Sequence, residues 1–326
     1  MDIPSPMRLQ WLPGARLHVM TRTWILSATL LLTACLQGCA SVQAPPSGPV
    51  AAGLRAGAPT PAGHEPPANS VPLEHLPALA GDYFPLVSHA NGRTYHVYVR
   101  LPEGYDAPDE RTYPVVYLLD GDSLFPLLAP THLFLGYDEG LPEAIIVGLA
   151  YGGFDPAINR RNLDFTAAGA DTAPDQGGAE AHHRFLREQL LPEVERRYRA
   201  DPERRVLAGQ SRAGYFVLWS AIRDPDLFWG RIASNPSPGP AREQLFGAPA
   251  THRRDDLRLV VASGARDTAA RVRHAAEWSA TWQQRPDAPW DVELVVLPDG
   301  THAASIGEAY RRAMLSLFRD DITPRP

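Results

Sequence analysis

Lysine is absent from the chain, and cysteine is scarce. All 31 basic residues are arginine, the formal net charge is −6, and two of the 326 residues are cysteine. The exclusive use of arginine indicates a composition bias of the genome, and the negative balance argues against a surface that binds nucleic acid. Hydrophobic residues make up 44% of the chain, which is ordinary for a protein with a sizeable core. Wholesale disorder, collagen-like repeats and multi-span membrane proteins are therefore excluded.

A short apolar run near the N-terminus predicts an export signal. It extends from Trp24 to Leu32 behind Arg22, and it is too short to span a bilayer. Cys35 and Cys39 follow in the patterns LTAC and LQGC, which resemble the lipobox of bacterial lipoproteins. We expect a signal peptide over residues 1–40, with one of the two cysteines carrying lipid. An ordinary cleaved signal peptide with incidental cysteines is the alternative.

The rest of the chain divides into a tether and a folded domain. Residues 41–72 are rich in Pro, Ala and Gly, so they bury too little apolar surface to fold and are expected to form a disordered tether. The folded domain is expected over 73–326. Translation is expected to begin at Met20, because a long mixed stretch precedes the signal. The protein is then expected in the periplasm or cell envelope, held there by a lipid anchor.

Strands and helices are predicted to alternate through the folded domain. Runs that are apolar on both faces, Val115–Leu119 and Ala144–Leu149, predict central parallel strands covered by helices on either side. Apolar residues recur at helical spacing between Glu180 and Tyr198, where Pro192 predicts a kink. Further strands are predicted at 95–101, 205–208, 257–262 and 291–297, and further helices after Ser211, at 268–284 and at 305–318. The predicted fold class is α/β, with a mostly parallel central sheet and helices on both faces.

The strongest local motif is a serine at a predicted strand-to-helix turn, in RVLAGQSRAGYFVLWSA. A nucleophilic serine needs a sharp turn that exposes its hydroxyl, and small residues two positions before and after it, here Gly209 and Ala213, let the backbone turn. The helix that follows would present backbone N–H groups to an oxyanion. Ser211 is therefore a candidate nucleophile, and a simple helix N-cap is the alternative.

A serine hydroxyl needs an adjacent base, and one histidine follows the last predicted strand. His302, in LPDGTHAAS, is expected at the same carboxyl edge of the sheet as Ser211. Asp267, in LRLVVASGARDTAARV, follows the preceding strand and is suited to orient the imidazole. The order Ser211, Asp267, His302 is the one that α/β-hydrolases use. Asp267 has an alternative as a helix N-cap, with Asp299 or no acid taking its place.

The other histidines are weaker candidates for a base. His182 and His183 lie on the predicted amphipathic helix and are expected to be solvated. His252 and His274 lie in polar stretches. His302 is therefore the preferred candidate.

A second candidate loop, LLDGD, ends an early central strand. A backbone N–H from such a loop is the usual second donor of an oxyanion hole, beside the N–H of Arg212. A simple Asp-Gly turn is the alternative.

Several strings taken together resemble one family. They are, in order, YPVVYLLDGDSLFPLL, RRNLDFT, FLREQLLPEVERRYRADPERRVLAGQSRAGYF, SNPS and LPDGTHAAS, within Asp82 to Phe318. They look like the bacterial putative esterase family of α/β-hydrolases, which includes siderophore (enterochelin-type) esterases, feruloyl esterases and, more distantly, mycolyltransferases. The resemblance implies an α/β-hydrolase fold with Ser211 as nucleophile and His302 as base.

The resemblance also implies roles for three further residues. Backbone donors to the oxyanion are implied at Arg212 and at Asp122, the latter because it follows the family's Asp-Gly. Asp267 falls where members with an acid place it, although some siderophore-esterase relatives work with a Ser-His pair alone.

The sequence departs from the family around the serine. The family usually has histidine before the serine and two glycines after the next residue, whereas Gln210 precedes Ser211 here and Arg212-Ala213-Gly214 follows. A guanidinium at Arg212 is suited to bind an anionic part of the substrate, and a structural arginine is the alternative. The polar segment Pro236–Asp255 is expected to be a loop or partial lid that encodes substrate choice.

These features predict an exported serine hydrolase that cleaves a small-molecule carboxylic ester through an acyl-enzyme. Siderophore esters and general carboxylic esters are the two substrate classes considered. No cofactor, metal or nucleic-acid partner is expected, and contact with a membrane is expected only through the lipid anchor. An envelope acyltransferase with the same triad and a non-catalytic binding lipoprotein with the same fold are the alternatives.

Overall fold

An eight-stranded sheet forms the centre of the fold. The computed structural model describes residues 76–79, 81–108, 110–170 and 172–323, all of which belong to the unit Pro66–Pro326. The predicted signal peptide with Cys35 and Cys39, the predicted start at Met20 and the predicted tether over 41–72 lie outside the described residues.

The sheet is mostly parallel, as predicted. Its strands are β1 (Asp82–Val87), β2 (Thr94–Arg100), β3 (Tyr113–Leu118), β4 (Ile145–Ala150), β5 (Ala200–Gln210), β6 (Gly230–Ser234), β7 (Leu257–Gly264) and β8 (Trp290–Leu297). They lie in the order β1-β2-β4-β3-β5-β6-β7-β8. The β1–β2 and β2–β4 pairs are antiparallel, and every pair from β4 to β8 is parallel. The carboxyl ends of β3 and β5 to β8 therefore share one edge of the sheet.

Helices connect the parallel strands. They are α1 (Gly121–Glu139), α2 (Arg161–Asp164), α3 (Ala179–Phe185), α4 (Leu191–Arg197), α5 (Arg212–Arg223), α6 (Arg242–Phe246), α7 (Ala269–Gln283) and α8 (Ile306–Leu317). The long helix predicted over 180–198 is interrupted by a π-helical turn, Leu186–Leu190, in which the N–H of Leu191 bonds five residues back. This irregularity directly precedes Pro192, which has no N–H to continue the ordinary ladder.

Two apolar cores cover the two faces of the sheet. Along β3, Val115 and Tyr117 face one core, and Val116 and Leu118 face the other. Helices α1 and α8 close the second core, and the helices from α3 to α7 close the first. This sandwich explains why the central strands are apolar on both faces.

The expectation that His182 and His183 are solvated is wrong. They are 0% and 5% exposed. His182 packs against the rings of Tyr95, Phe165 and Phe216, and His183 packs against Trp219. A histidine ring is flat and largely apolar, so it fits an aromatic cluster when its nitrogens stay neutral. His274, placed in a polar stretch, is also buried.

Candidate active site

The backbone at Ser211 forms a tight turn between β5 and α5. Its φ of 60° and ψ of −114° are unusual for a residue with a side chain. The turn requires Gly209, because a Cβ there would lie 2.7 Å from the backbone carbonyl of Ala213. Ser211 occupies the N-cap position of α5 but makes no side-chain capping bond. Its hydroxyl is therefore available to other partners.

His302 joins that hydroxyl to a carboxylate. Its Nε2 lies 2.9 Å from Oγ of Ser211, and its Nδ1 lies 2.6 Å from Oδ2 of Asp267. The three side chains come from the ends of β5, β7 and β8, which meet at the shared edge. Asp267 directly precedes Thr268, which is the N-cap of α7. The structure thus brings Asp267, and not Asp299, to the imidazole.

The surroundings of Asp267 favour its charged form. Burial opposes ionisation, but hydrogen bonds with His302 and with the N–H of Thr268 hold the pKa of Asp267 below its ordinary value. A charged carboxylate accepts the Nδ1 proton of His302 and leaves Nε2 free to accept the proton of Ser211. The arrangement can therefore draw a proton from the serine.

The loop that carries His302 is held by two amide side chains. The Nδ2 group of Asn235 donates to the carbonyl oxygen of His302 at 3.1 Å, and the side-chain amide of Gln210 donates to the same oxygen. Asn235 also accepts the N–H of Gly264 at 2.7 Å, and its positive φ of 42° suits asparagine. Asn235 was not among the predicted site residues, although the string SNPS contains it.

The predicted oxyanion donors lie at the starts of two helices. Arg212 is the first residue of α5, and Asp122 is the second residue of α1, so neither backbone N–H has an acceptor one turn back in its helix. The segment around Asp122, expected to be a loop, is thus a helix N-terminus. Asp122, Ser211 and His302 line one open cavity of about 270 Å³.

Side-chain contacts hold the start of α1 in place. The carboxylate of Asp122 accepts the N–H groups of Tyr151, Gly152 and Gly153 at 2.8 to 2.9 Å. Asp120, whose φ is 54°, receives a bidentate contact from Arg161 with both distances at 2.9 Å. Arg161 was not singled out from the sequence, although it belongs to the string RRNLDFT.

Two other kinds of feature are absent from the described ranges. There, no group of three or more His, Cys, Asp or Glu side chains is arranged to hold a metal ion. None of the helices in the same ranges is both long and apolar enough to cross a membrane.

Comparison with known proteins identifies relatives of the chain. The model of the family described as "Putative esterase" matches residues 88–304. The ferri-bacillibactin esterase BesA of Bacillus subtilis is 36% identical over 163 residues, which are 46% of this chain and 56% of BesA. The apo-salmochelin esterase of Escherichia coli is 29% identical over 164 residues, which are 47% of this chain and 50% of that protein. The chain thus spans about half the length of the curated relatives it matches.

Solved structures resemble the fold. The BES protein from Bacillus cereus superposes with a TM-score of 0.63 at 22% identity, covering 72% of this chain and 94% of that chain. An IroE-like serine hydrolase from Shewanella oneidensis gives a TM-score of 0.64 at 22% identity, covering 75% of this chain and 82% of that chain. At these identities the likeness shows the fold alone.

Proposed function

The chain belongs to the putative esterase family, and from that premise we propose that it is a serine hydrolase that cleaves a carboxylic ester through an acyl-enzyme. One observation carries the proposal: the hydrogen-bonded line from Ser211 through His302 to Asp267, at an open cavity. Nucleophile, base and orienting acid in this geometry form the triad of acyl-transfer enzymes.

The first half of the reaction acylates the serine. Oγ of Ser211 attacks the ester carbonyl carbon while Nε2 of His302 takes its proton, and Asp267 stabilises the imidazolium. The carbonyl oxygen becomes an oxyanion, which the N–H groups of Arg212 and Asp122 are proposed to bind. As the C–O bond breaks, His302 returns the proton to the departing alcohol.

The second half releases the acid. Water replaces the alcohol, and His302 takes a proton from the water as the water oxygen attacks the acyl carbon. The new tetrahedral intermediate collapses with cleavage of the bond to Oγ, and Ser211 regains a proton from His302. Each step balances with the ester, one water and these side chains, so this reaction needs no metal or organic cofactor.

We propose siderophore esters as the substrate class, with general carboxylic esters as the alternative. Support comes from the relatives, which include the two siderophore esterases above and the siderophore triacetylfusarinine C esterase of Aspergillus fumigatus, 26% identical over 154 residues. Incubation with bacillibactin and with simple nitrophenyl esters separates the two classes. A much higher kcat/KM for bacillibactin supports the siderophore class, and the reverse favours a general esterase.

Turnover of nitrophenyl esters by purified variants tests the reaction itself. We expect Ser211→Ala to lower kcat by about a thousandfold or more, because no other group replaces the nucleophile. Ser123→Ala, which removes an exposed hydroxyl at the same cavity, is the matched control and should retain turnover. Unchanged turnover in Ser211→Ala would contradict the proposal.

The same assay with added glycerol or sugar distinguishes the acyltransferase. A hydrolase passes the acyl group to water and releases free acid. Transfer of most acyl groups to the added alcohol would identify the protein as an acyltransferase that works through the same acyl-enzyme.

A further inference from the structure

Arg212 is a half-buried cation that directly follows the nucleophile in the chain. Its side chain makes no hydrogen bond or ion pair with any other residue that the structure describes, although it directly follows Ser211. A guanidinium has five donors, and burial removes part of its hydration without a protein acceptor among the described residues to replace it. The position therefore has the capacity to bind an anion.

Two further arginines make the surroundings of Arg212 more positive. Burial and then the charge of Arg161 lower the pKa of Arg212, Arg271 acts in the same direction, and the exposed carboxylate of Asp175 opposes them. The charge of Arg161 is already matched by its bidentate contact with Asp120. Among the described residues Arg212 has no such partner, and Arg271 contacts the carboxylate of Asp267 only at 3.3 Å.

The contacts of Arg271 connect this positive region to the nucleophile. Nε of Arg271 lies 3.4 Å from Oγ of Ser237, which lies 3.1 Å from Oγ of Ser211. The other contacts of Arg271, to Asp267 at 3.3 Å and to Thr268 at 3.5 Å, are also long. One hydroxyl, that of Ser237, thus lies between the Arg271 guanidinium and the attacking oxygen of Ser211. All the contacts of this guanidinium are longer than a typical hydrogen bond.

We propose that Arg212, with Arg271, forms an anion subsite beside Ser211, and that the preferred ester carries a carboxylate or similar anionic oxygen group near its scissile bond. This inference rests on the proposed function and specifies its substrate. A planar guanidinium fork matches a carboxylate, and an anion there would offset the mutual repulsion of the arginines. An uncharged ester would leave Arg212 without an acceptor and Arg271 with only its long contacts.

Two pairs of esters test the subsite and locate the anion. Monoethyl succinate and ethyl levulinate compare a carboxylate with a neutral ketone on the acyl side. The second pair, 4-acetoxybenzoate and 4-acetoxyacetophenone, makes the same comparison on the alcohol side. Acid release is followed at constant pH, and kcat/KM is determined for each ester with wild type, Arg212→Gln, Arg212→Lys and the control Arg273→Gln.

Wild type is expected to prefer the anionic member of at least one pair. Arg212→Gln should lower the ratio of anionic to neutral kcat/KM by about tenfold to a hundredfold, the range typical of hydrogen bonds to charged groups. Arg212→Lys should recover part of the ratio, because it restores the charge without the fork. Arg273 is exposed two residues beyond Arg271, so Arg273→Gln should leave the ratio unchanged.

The outcomes separate this inference from the proposed function. If wild type cleaves the neutral esters but shows no preference, or if Arg212→Gln keeps the wild-type ratio, the subsite is refuted and the esterase stands. If folded wild type cleaves none of the four esters and Ser211 resists a fluorophosphonate, the proposed function falls and the subsite falls with it.

Discussion

The positions of Ser211 and His302 could be predicted because short local patterns encode them. A small-x-Ser-x-small turn after an apolar strand and a histidine after the last strand are visible without any tertiary contact. Asn235 and Arg161 were missed for the opposite reason. Asn235 acts on the carbonyl of His302, 67 residues away, and Arg161 acts on Asp120, 41 residues away. Only the folded sheet brings such pairs together.

At Asp267, we predict that removal of the charge slows catalysis. Asp267→Asn should lower kcat by roughly two to four orders of magnitude, because an amide neither fixes the productive tautomer of His302 nor stabilises the imidazolium. Steady-state kinetics on a nitrophenyl ester measures this. Asp299→Asn is the matched control, since Asp299 was the alternative acid. A larger loss in Asp299→Asn than in Asp267→Asn would reverse the assignment.

At Gln210, we predict a positioning role. Gln210→Glu keeps the shape of the side chain but removes the amide that donates to the carbonyl of His302. The kcat should fall by about tenfold with little change in KM, because a misplaced base affects chemistry more than binding. In the control Gln283→Glu, which alters a similar amide-to-carbonyl bond to Val292, activity should persist. Equal kcat values in the two variants would show that Gln210 does not position the base.

At the scale of elements, local patterns predicted six of the eight strands but not β1, β6 or the long helix α1. Helix α1 contains Pro126 and Pro130, which normally argue against a helix interior, and its buried side packs on the sheet next to α8. The second residue of strand β6, Arg231, is fully buried, and its guanidinium donates to the carbonyl oxygens of Asp224, Pro225 and Phe228. Neither the packing of α1 nor the hydrogen bonds of Arg231 can be read from a local sequence pattern, because both depend on tertiary contacts.

The packing of α1 against α8 buries a histidine whose titration can be predicted. Nδ1 of His132 lies 3.0 Å from the hydroxyl of Tyr310, and Nε2 lies 3.3 Å from the carbonyl oxygen of Pro142. Burial lowers the pKa of His132 to about 4, against the opposing effect of the Pro142 carbonyl. An unfolded chain has a histidine pKa of about 6.5. From pH 6.5 down to 4 the unfolded state therefore binds a proton that the folded state does not.

It follows that wild type loses stability as the pH falls through this window. His132→Gln cannot take up that proton, so its free energy of unfolding should fall by roughly 3 kcal/mol less than that of wild type between pH 6.5 and 4. Urea denaturation at several pH values measures the difference. Identical slopes in wild type and His132→Gln would show that His132 takes up its proton over the same pH range in the folded and unfolded states.

At the scale of the whole molecule, the alternation of strands and helices was enough to predict the α/β class. The same alternation did not predict which strands lie at the two edges of the sheet. Edge strand β1 contains Pro85, which cannot donate to a ladder, and edge strand β8 exposes the acidic Asp291 and Glu293. Such residues discourage pairing with another chain. The strand order that joins β3 directly to β5 comes from long-range pairing, which local periodicity does not encode.

The export signal and lipid anchor stay predictions, because Cys35 and Cys39 lie outside the described residues. We expect wild type expressed in a Gram-negative host to fractionate with membranes. A Cys35→Ala, Cys39→Ala double variant should move to the soluble fraction, and the two single variants should identify the lipid-bearing cysteine. A double variant that remains with the membranes would exclude lipid on either cysteine as the anchor.

Labelling with a fluorophosphonate probe, followed by peptide mapping, tests the nucleophile at Ser211 most directly. We predict that wild type is labelled at Ser211 and that Ser211→Ala is not. Ser237→Ala should still be labelled, because Nε2 of His302 contacts Ser211 and not its neighbouring hydroxyl. Label on Ser237 would contradict the assignment of Ser211 as nucleophile, and a folded wild type that takes up no label would contradict the serine-hydrolase account.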